Sequence, residues 1–164
     1  MTFVLDEVAN VAPLPNLPSL ISDGGGRGMQ AWAFAQTPPQ LRERWGRDGA
    51  DAILGAAAIT LVMGGLDDVE YLDRLSRLAG ERRIIRKSRT TSGRTTSTST
   101  SVERERVLPV ERLRTLPEGR ALLMYRSVSP ALVDLARWWD RPDADALRDS
   151  VQWVADEERR GHAA

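Results

Sequence analysis

Residues 3–15, FVLDEVANVAPLP, set three apolar side chains directly before two acids, Asp6 and Glu7. Phe3-Val4-Leu5 predicts a buried parallel strand, because strands covered on both faces read as unbroken apolar runs. At the tip of such a strand an aspartate can help hold Mg²⁺, and an adjacent glutamate can polarise an attacking water. Many buried strands simply end in acids where the sheet meets solvent, so the pair by itself leaves both readings open. Such a strand normally comes late in its domain, and here it comes first.

Downstream, Pro13, Pro15 and Pro18 preclude a regular helix until SLISDGGGRG (19–28), where Leu17, Leu20 and Ile21 predict a short helix ended by glycines. Met29 to Ala35 reads as a second buried strand with Gln36 at its tip. Pro38 and Pro39 suit a first helical turn, and two helical pieces follow, broken near Gly46 and Gly49. AITLVMG (58–64) is a third apolar strand. The clearest helix covers 67–80, with acids at its start, Val69, Leu72, Leu75 and Leu78 on one face, and Gly80 at its end. Alternation of strand and helix predicts an α/β fold, in which ligands gather at the carboxyl ends of strands. Asp6, Glu7 and Gln36 all sit at such ends. A glutamine there can hydrogen-bond the attacking water or a terminal phosphate.

Composition changes after residue 87. From Ser88 to Ser101, 11 of 14 residues are Ser or Thr, which predicts a mobile loop because almost nothing there can be buried. A strand is expected before it (82–89). After it come a short helix (about 109–116), a turn (117–119) and a strand (121–125). SPALVDLARWWDRP (129–142) is ambiguous: Ser129-Pro130 suits a helix start, whereas Trp138-Trp139 before Pro142 suits the end of an extended segment. The last element, 143–160, is an amphipathic helix with Leu147, Val151 and Val154 as its stripe.

Basic and acidic side chains balance at 23 each, so net charge names no partner. Lys87 is the only lysine, and there is no cysteine, which excludes disulfides and thiolate metal sites and fits a reducing compartment. No signal peptide is visible. The longest apolar run, AILGAAAITLVMGGL (52–66), is broken by Thr60 and glycines and falls short of the roughly 20 residues of a membrane span. The chain as given reads as soluble. RRIIRKSRTTSGR (82–94) carries six basic side chains and no acid; it could touch nucleic-acid phosphates or be a solvated basic loop. Trp138 and Trp139 read as packing under a sheet edge, and His162 as an inert tail residue. Asp67, Asp68 and Glu70 fit a helix dipole better than a metal cluster.

The text from Leu5 to Glu81 resembles the nucleotide-binding domain of type IV secretion coupling proteins, the TraG/TraD-like conjugation ATPases. Leu5-Asp6-Glu7 matches the family's Walker B triplet, Pro13 to Pro18 its proline segment, and Gly26 to Gly28 the glycines before its sensor strand. Gln36 with Gln40 matches its glutamine pair, Gly49 to Ile53 the following helix, and Gly65 to Glu70 the close of its third strand. RVLPVERLRTLPEGRALLMYRSVSP (106–130) is similar to the segment that follows the family's Ser-rich loop. The resemblance implies a partial RecA-like P-loop NTPase sheet, the Walker B half lacking the Walker A strand, over 1–139, with a terminal helix and tail at 140–164. It also implies that SPALVDLARWW is an extended returning strand.

By the same resemblance Asp6 would hold Mg²⁺, Glu7 would activate water and Gln36 would act as sensor. ATP would sit between subunits of a homo-hexamer that pumps single-stranded DNA and relaxase from the cytoplasm. Relaxosome proteins would be its partners. Full-length members carry membrane helices and a GxxxxGK[ST] loop upstream; this sequence has no such loop, since GGGRGMQ (24–30) lacks the Lys-Ser/Thr pair. The expectation is therefore a truncated or split motor subunit, binding no nucleotide by itself. One alternative is a non-catalytic module that binds relaxosome proteins or full-length coupling subunits. Another is a septal-type double-strand translocase, which the Ser/Thr loop and LP…LP…AL text disfavour.

Overall fold

Three separate sheets carry the strands of the computed structural model, which describes residues 1–11, 13–92 and 95–161. Strands β1 (Thr2–Leu5) and β2 (Gln30–Ala33) pair in parallel, with Leu5 opposite Ala33. Between them lie helix α1 (Leu17–Asp23) and a 3₁₀ turn, Gly24–Arg27, that delivers the chain to β2. Helix α2 (Pro38–Ala56) leads on to β3 (Ile59–Met63). Its two pieces meet at Gly46, whose φ of 72° is non-helical, close to the expected break. The carboxyl run of β1 is buried on one side only: Phe3 and Leu5 are half-buried, whereas Val4 is 69 % exposed.

The second sheet is antiparallel, in the order β3-β6-β7, with β6 at Arg120–Tyr125 and β7 at Val128–Asp134. The helix reading of SPALVDLARWW is thus corrected in favour of the extended one. A tight turn after Tyr125 returns the chain along β6, so Ala131, Leu132 and Val133 face Leu123, Leu122 and Ala121 in the ladder. Helix α3 (Val69–Leu78) lies on this unit with Tyr71, Leu72 and Leu75 buried. Asp68 caps it, accepting a hydrogen bond from the Tyr71 amide at 3.0 Å, and Asp67 pairs with Arg114 of α4 (Val110–Arg114) at 3.1 Å. Of these acids Asp68 serves the helix end, and Asp67 ties it to α4.

Residues expected as a mobile loop form, with their flanks, an antiparallel ribbon, β4 (Glu81–Ser92) with β5 (Thr95–Arg106). Threonine carries a branched β-carbon that suits a pleated strand, and Thr/Ser side chains pair acceptably across a ladder. Low hydrophobicity argued against burial; it did not argue against strand. Gly80, at φ 81°, ends α3 in a left-handed turn that starts the ribbon, and its carbonyl accepts from the Val107 amide at 3.0 Å to close the ribbon's base. Gly93 and Arg94 lie outside the described residues, as does His162.

Two buried clusters hold the chain together. Val62, Tyr71, Leu72, Leu75, Leu108, Leu113 and Leu122 make one; Val8, Leu17, Leu41, Ala50 and Ile53 make the other. Leu54 of α2 packs against both. Trp138 and Trp139 do not pack under a sheet edge. They stand edge to face at 5.6 Å on a 3₁₀ turn, Trp138–Asp140, about half exposed, with Arg148 of α5 (Ala144–Gly161) over Trp138.

Gly64 has no room for a side chain: a β-carbon there would collide with the carbonyl oxygen of Leu116. Gly64→Ala must push the α4–β6 connection off β3, a change expected to cost roughly 2–3 kcal/mol, as overpacking does. The check is the urea midpoint followed by far-ultraviolet circular dichroism. An unchanged midpoint would mean that the Leu116 turn yields freely.

Candidate functional site

Parallel pairing decides which ends meet. Because Leu5 stands opposite Ala33, the residues that follow each strand leave the sheet side by side. The Phe34 amide donates to the Leu5 carbonyl at 3.0 Å and the Val8 amide to the Phe34 carbonyl at 2.9 Å, so the two exits stay laced together past the strands. Glu7 lies within this lacing. Its φ is 42°, in the left-handed region that non-glycine residues rarely adopt, and its carbonyl accepts from the amides of Asn10 and Val11. Strain of this kind persists only where the surroundings enforce it, and it concentrates at functional positions.

The side chains form a short chain of hydrogen bonds. Gln40 Nε2, in the first turns of α2, donates to Gln36 Oε1 at 3.3 Å, and Gln36 Nε2 donates to Glu7 Oε1 at 2.9 Å. With its carbonyl oxygen held by Gln40, the Gln36 amide turns its NH₂ towards Glu7. Asp6 is exposed, and its Oδ1 accepts from the Glu7 amide at 3.0 Å. Glu7 is half-buried. All three residues picked from the sequence therefore stand at one end of one strand pair, and Gln36 and Glu7 touch.

Gln40 enters the site through its bond to Gln36, a role the glutamine spacing hinted at without showing. The backbone of Glu7 had no signal in the sequence at all. Among the described residues no group of three or more His, Cys, Asp or Glu side chains could hold a metal ion alone.

Beside the site the sheet stops. β2 has β1 on one edge and no strand on the other among the described residues, and β3 likewise pairs only with β6. One apolar face of each strand is uncovered: Trp32 of β2, Phe34 just past it, and Ile59, Leu61 and Met63 of β3 are each about 40–50 % exposed, whereas Val62 of β3 is buried.

Residues 1–118 match the family model described as the TraM recognition site of TraD and TraG. Among solved structures, an unbound form of the bacterial conjugative coupling protein TrwBdeltaN70 superposes with a TM-score of 0.63 at 23 % identity, covering 82 % of this chain and 31 % of that one. TrwB in complex with the GTP analogue GDPNP gives 0.61 at 23 % identity, over 82 % and 30 %. TrwB in complex with ADP and Mg²⁺ gives 0.60, also at 23 % identity, over 82 % and 30 %. At that identity the likeness is one of fold. The chain spans about a third of the length of those structures. No curated protein matches it.

Proposed function

The chain belongs to the family of the TraM recognition site of TraD and TraG, and from that membership we propose that it is the Walker B and sensor part of a conjugative coupling motor. The observation that carries the reading is the Gln36–Glu7 contact, made on a strained Glu7 backbone at the carboxyl ends of a parallel strand pair. Strands β2 and β3 then flank the place of a central phosphate-loop strand. Among the described residues each has one unpaired edge, as a partial RecA-like sheet would leave. A strand carrying GxxxxGK[ST], from preceding chain or from another molecule, would complete it.

In that sheet each residue has a definite task. A magnesium ion on a phosphate chain takes only one or two carboxylates from protein, so a single exposed Asp6 fits as this chain's share of the ligand set. The ion would neutralise charge on the phosphate oxygens. Glu7, with Oε1 held by Gln36, keeps Oε2 to take the proton of an attacking water. Gln36 can trade its bond to Glu7 for one to the water or a terminal phosphate, and so signal which nucleotide is bound. Gln40 keeps the Gln36 amide the right way round.

We extend to this chain the family's working context: ATP and Mg²⁺ as cofactors, a homo-hexamer, single-stranded DNA and relaxosome proteins as partners, at the cytoplasmic side of a membrane. Among the described residues no helix is long and apolar enough to cross one.

The family description, a TraM recognition site, supports a second reading, a non-catalytic module that docks on relaxosome proteins or on complete coupling subunits. Nucleotide titration separates the two. The 164-residue chain alone should show no saturable binding of a fluorescent ATP analogue with Mg²⁺ at micromolar concentrations, because carboxylates and amides at strand ends cannot replace a cradle of backbone N–H groups. With a phosphate-loop segment added, binding should appear. Micromolar affinity by the chain alone contradicts this division of the site, and no gain on addition favours the docking module.

A further inference from the structure

The β4–β5 ribbon has two unlike faces. On one, Arg82 stands opposite Glu105 and pairs with it at 3.2 Å, and Arg86 reaches diagonally to Glu103 at 2.9 Å. That face neutralises itself. On the other, Glu81 at the ribbon's base stands opposite Arg106, which is turned to Asp73 and Ser76, and beyond it Arg83 stands directly opposite Arg104, Ile85 opposite Val102, and Lys87 opposite Thr100. Arg83, Arg104 and Lys87 are exposed, and Ile85 and Val102 are each about two-thirds exposed. Like charges placed opposite each other weaken a ladder, and a two-stranded ribbon has little stability to spare. An arginine pair in that register is explained if something anionic lies across it.

Composition narrows what that partner is. Residues 82–102 contain no acid and no aromatic side chain; beyond Ile84, Ile85, Gly93 and Val102 they are Arg, Lys, Ser and Thr throughout. Those four residue types are the donors that proteins turn towards phosphate oxygens. Without aromatics the ribbon has no platform for stacking bases, so it would grip a backbone without reading sequence. Twelve residues per strand make it about 40 Å long, and a ribbon of this width enters a major groove or tracks a single strand.

We infer that the Arg83–Arg104–Lys87 face of the β4–β5 ribbon binds the phosphodiester backbone of a nucleic acid. The inference stands on the ribbon's own charge layout, and rests on the coupling-motor reading only for taking DNA as the probe. Failure of one leaves the other intact, since the test needs no nucleotide.

The test is fluorescence anisotropy with a labelled 20-mer, single-stranded and double-stranded, across a salt series, using the whole chain. Replacing Arg83, Lys87 and Arg104 together by Ser should weaken binding at least about tenfold and flatten the log–log salt slope by about 2, since each lost phosphate contact removes ~0.7–0.9. Replacing Arg82 and Arg86 by Ser should weaken it less than about threefold, because their charges are already spent on Glu105 and Glu103. Arg83→Lys with Arg104→Lys should keep the binding, which guards against a Ser variant that merely misfolds. Preference for the single-stranded or the double-stranded probe would identify the form of nucleic acid gripped. Equal losses from the two faces would overturn the inference, as would a labelled polyglutamate peptide that binds this face more tightly than either DNA.

Discussion

Purified alone, residues 1–164 will elute well above their 18.2 kDa monomer mass and scatter light as a heterogeneous assembly. Strands β2 and β3 each leave one edge unpaired among the described residues. By alternation along the strand, Gln30 and Phe34 direct their amides to β1, accepting partners at Met1 and Leu5, so Ala31 and Ala33 point theirs to the open edge. Around those edges Trp32, Ile59, Leu61 and Met63 are exposed. Edges of this kind are templates for another strand, and an unpaired N–H or C=O that is not solvated costs about as much as a lost hydrogen bond. Co-expression with a coupling-protein segment that carries the GxxxxGK[ST] strand should convert the assembly into a discrete complex. A monodisperse, cooperatively melting monomer from the chain alone would show that the edges are not vacancies.

In that complex, Glu7→Gln should lower ATP turnover at least about a hundredfold while leaving nucleotide affinity within about threefold, the pattern of a lost general base. Glutamine keeps the length of the side chain, so the left-handed backbone and the nearby Gln36 can stay in place. It cannot take the proton. Asp6→Ala should differ in kind: its loss weakens the Mg²⁺-dependent part of nucleotide binding. Turnover in the Glu7→Gln complex equal to that of the parent would remove Glu7 from the chemistry, and with it the role assigned to the Gln36 contact.

Where local signals agreed, the sequence was legible. Phe3-Val4-Leu5 and Met29 to Ala35 contain the parallel pair, AITLVMG contains β3, and the spacing of Leu72 and Leu75 marks the buried face of α3. Asp6, Glu7 and Gln36 stood out as candidates because acids and an amide at apolar strand tips carry a chemical meaning before any fold is seen, and the structure brings Glu7 and Gln36 into contact. The Ser/Thr stretch misled because low hydrophobicity and strand formation are separate properties: branched Thr side chains suit a pleated strand whether or not anything covers them. SPALVDLARWW misled locally through Ser129-Pro130, a good helix start that the ladder with β6 overrode. The Trp138-Trp139 pair was read as packing under a sheet edge, yet Arg148 lies over Trp138, Arg137 over Trp139, and both rings are about half exposed. No residue type announces a φ of 42° at Glu7; that comes from the lacing of Val8 to Phe34, a tertiary contact.

Hydrogen–deuterium exchange of β2 and β3 tests the central claim most directly, measured on the chain with and without the phosphate-loop segment. If one strand inserts between them, the amides of Ala31 and Ala33 and those of the outward edge of Ile59–Met63 should slow together, by orders of magnitude, on addition of that single segment. Protection of only one of the two strands, or of neither, would contradict the account that β2 and β3 flank the place of a shared central strand.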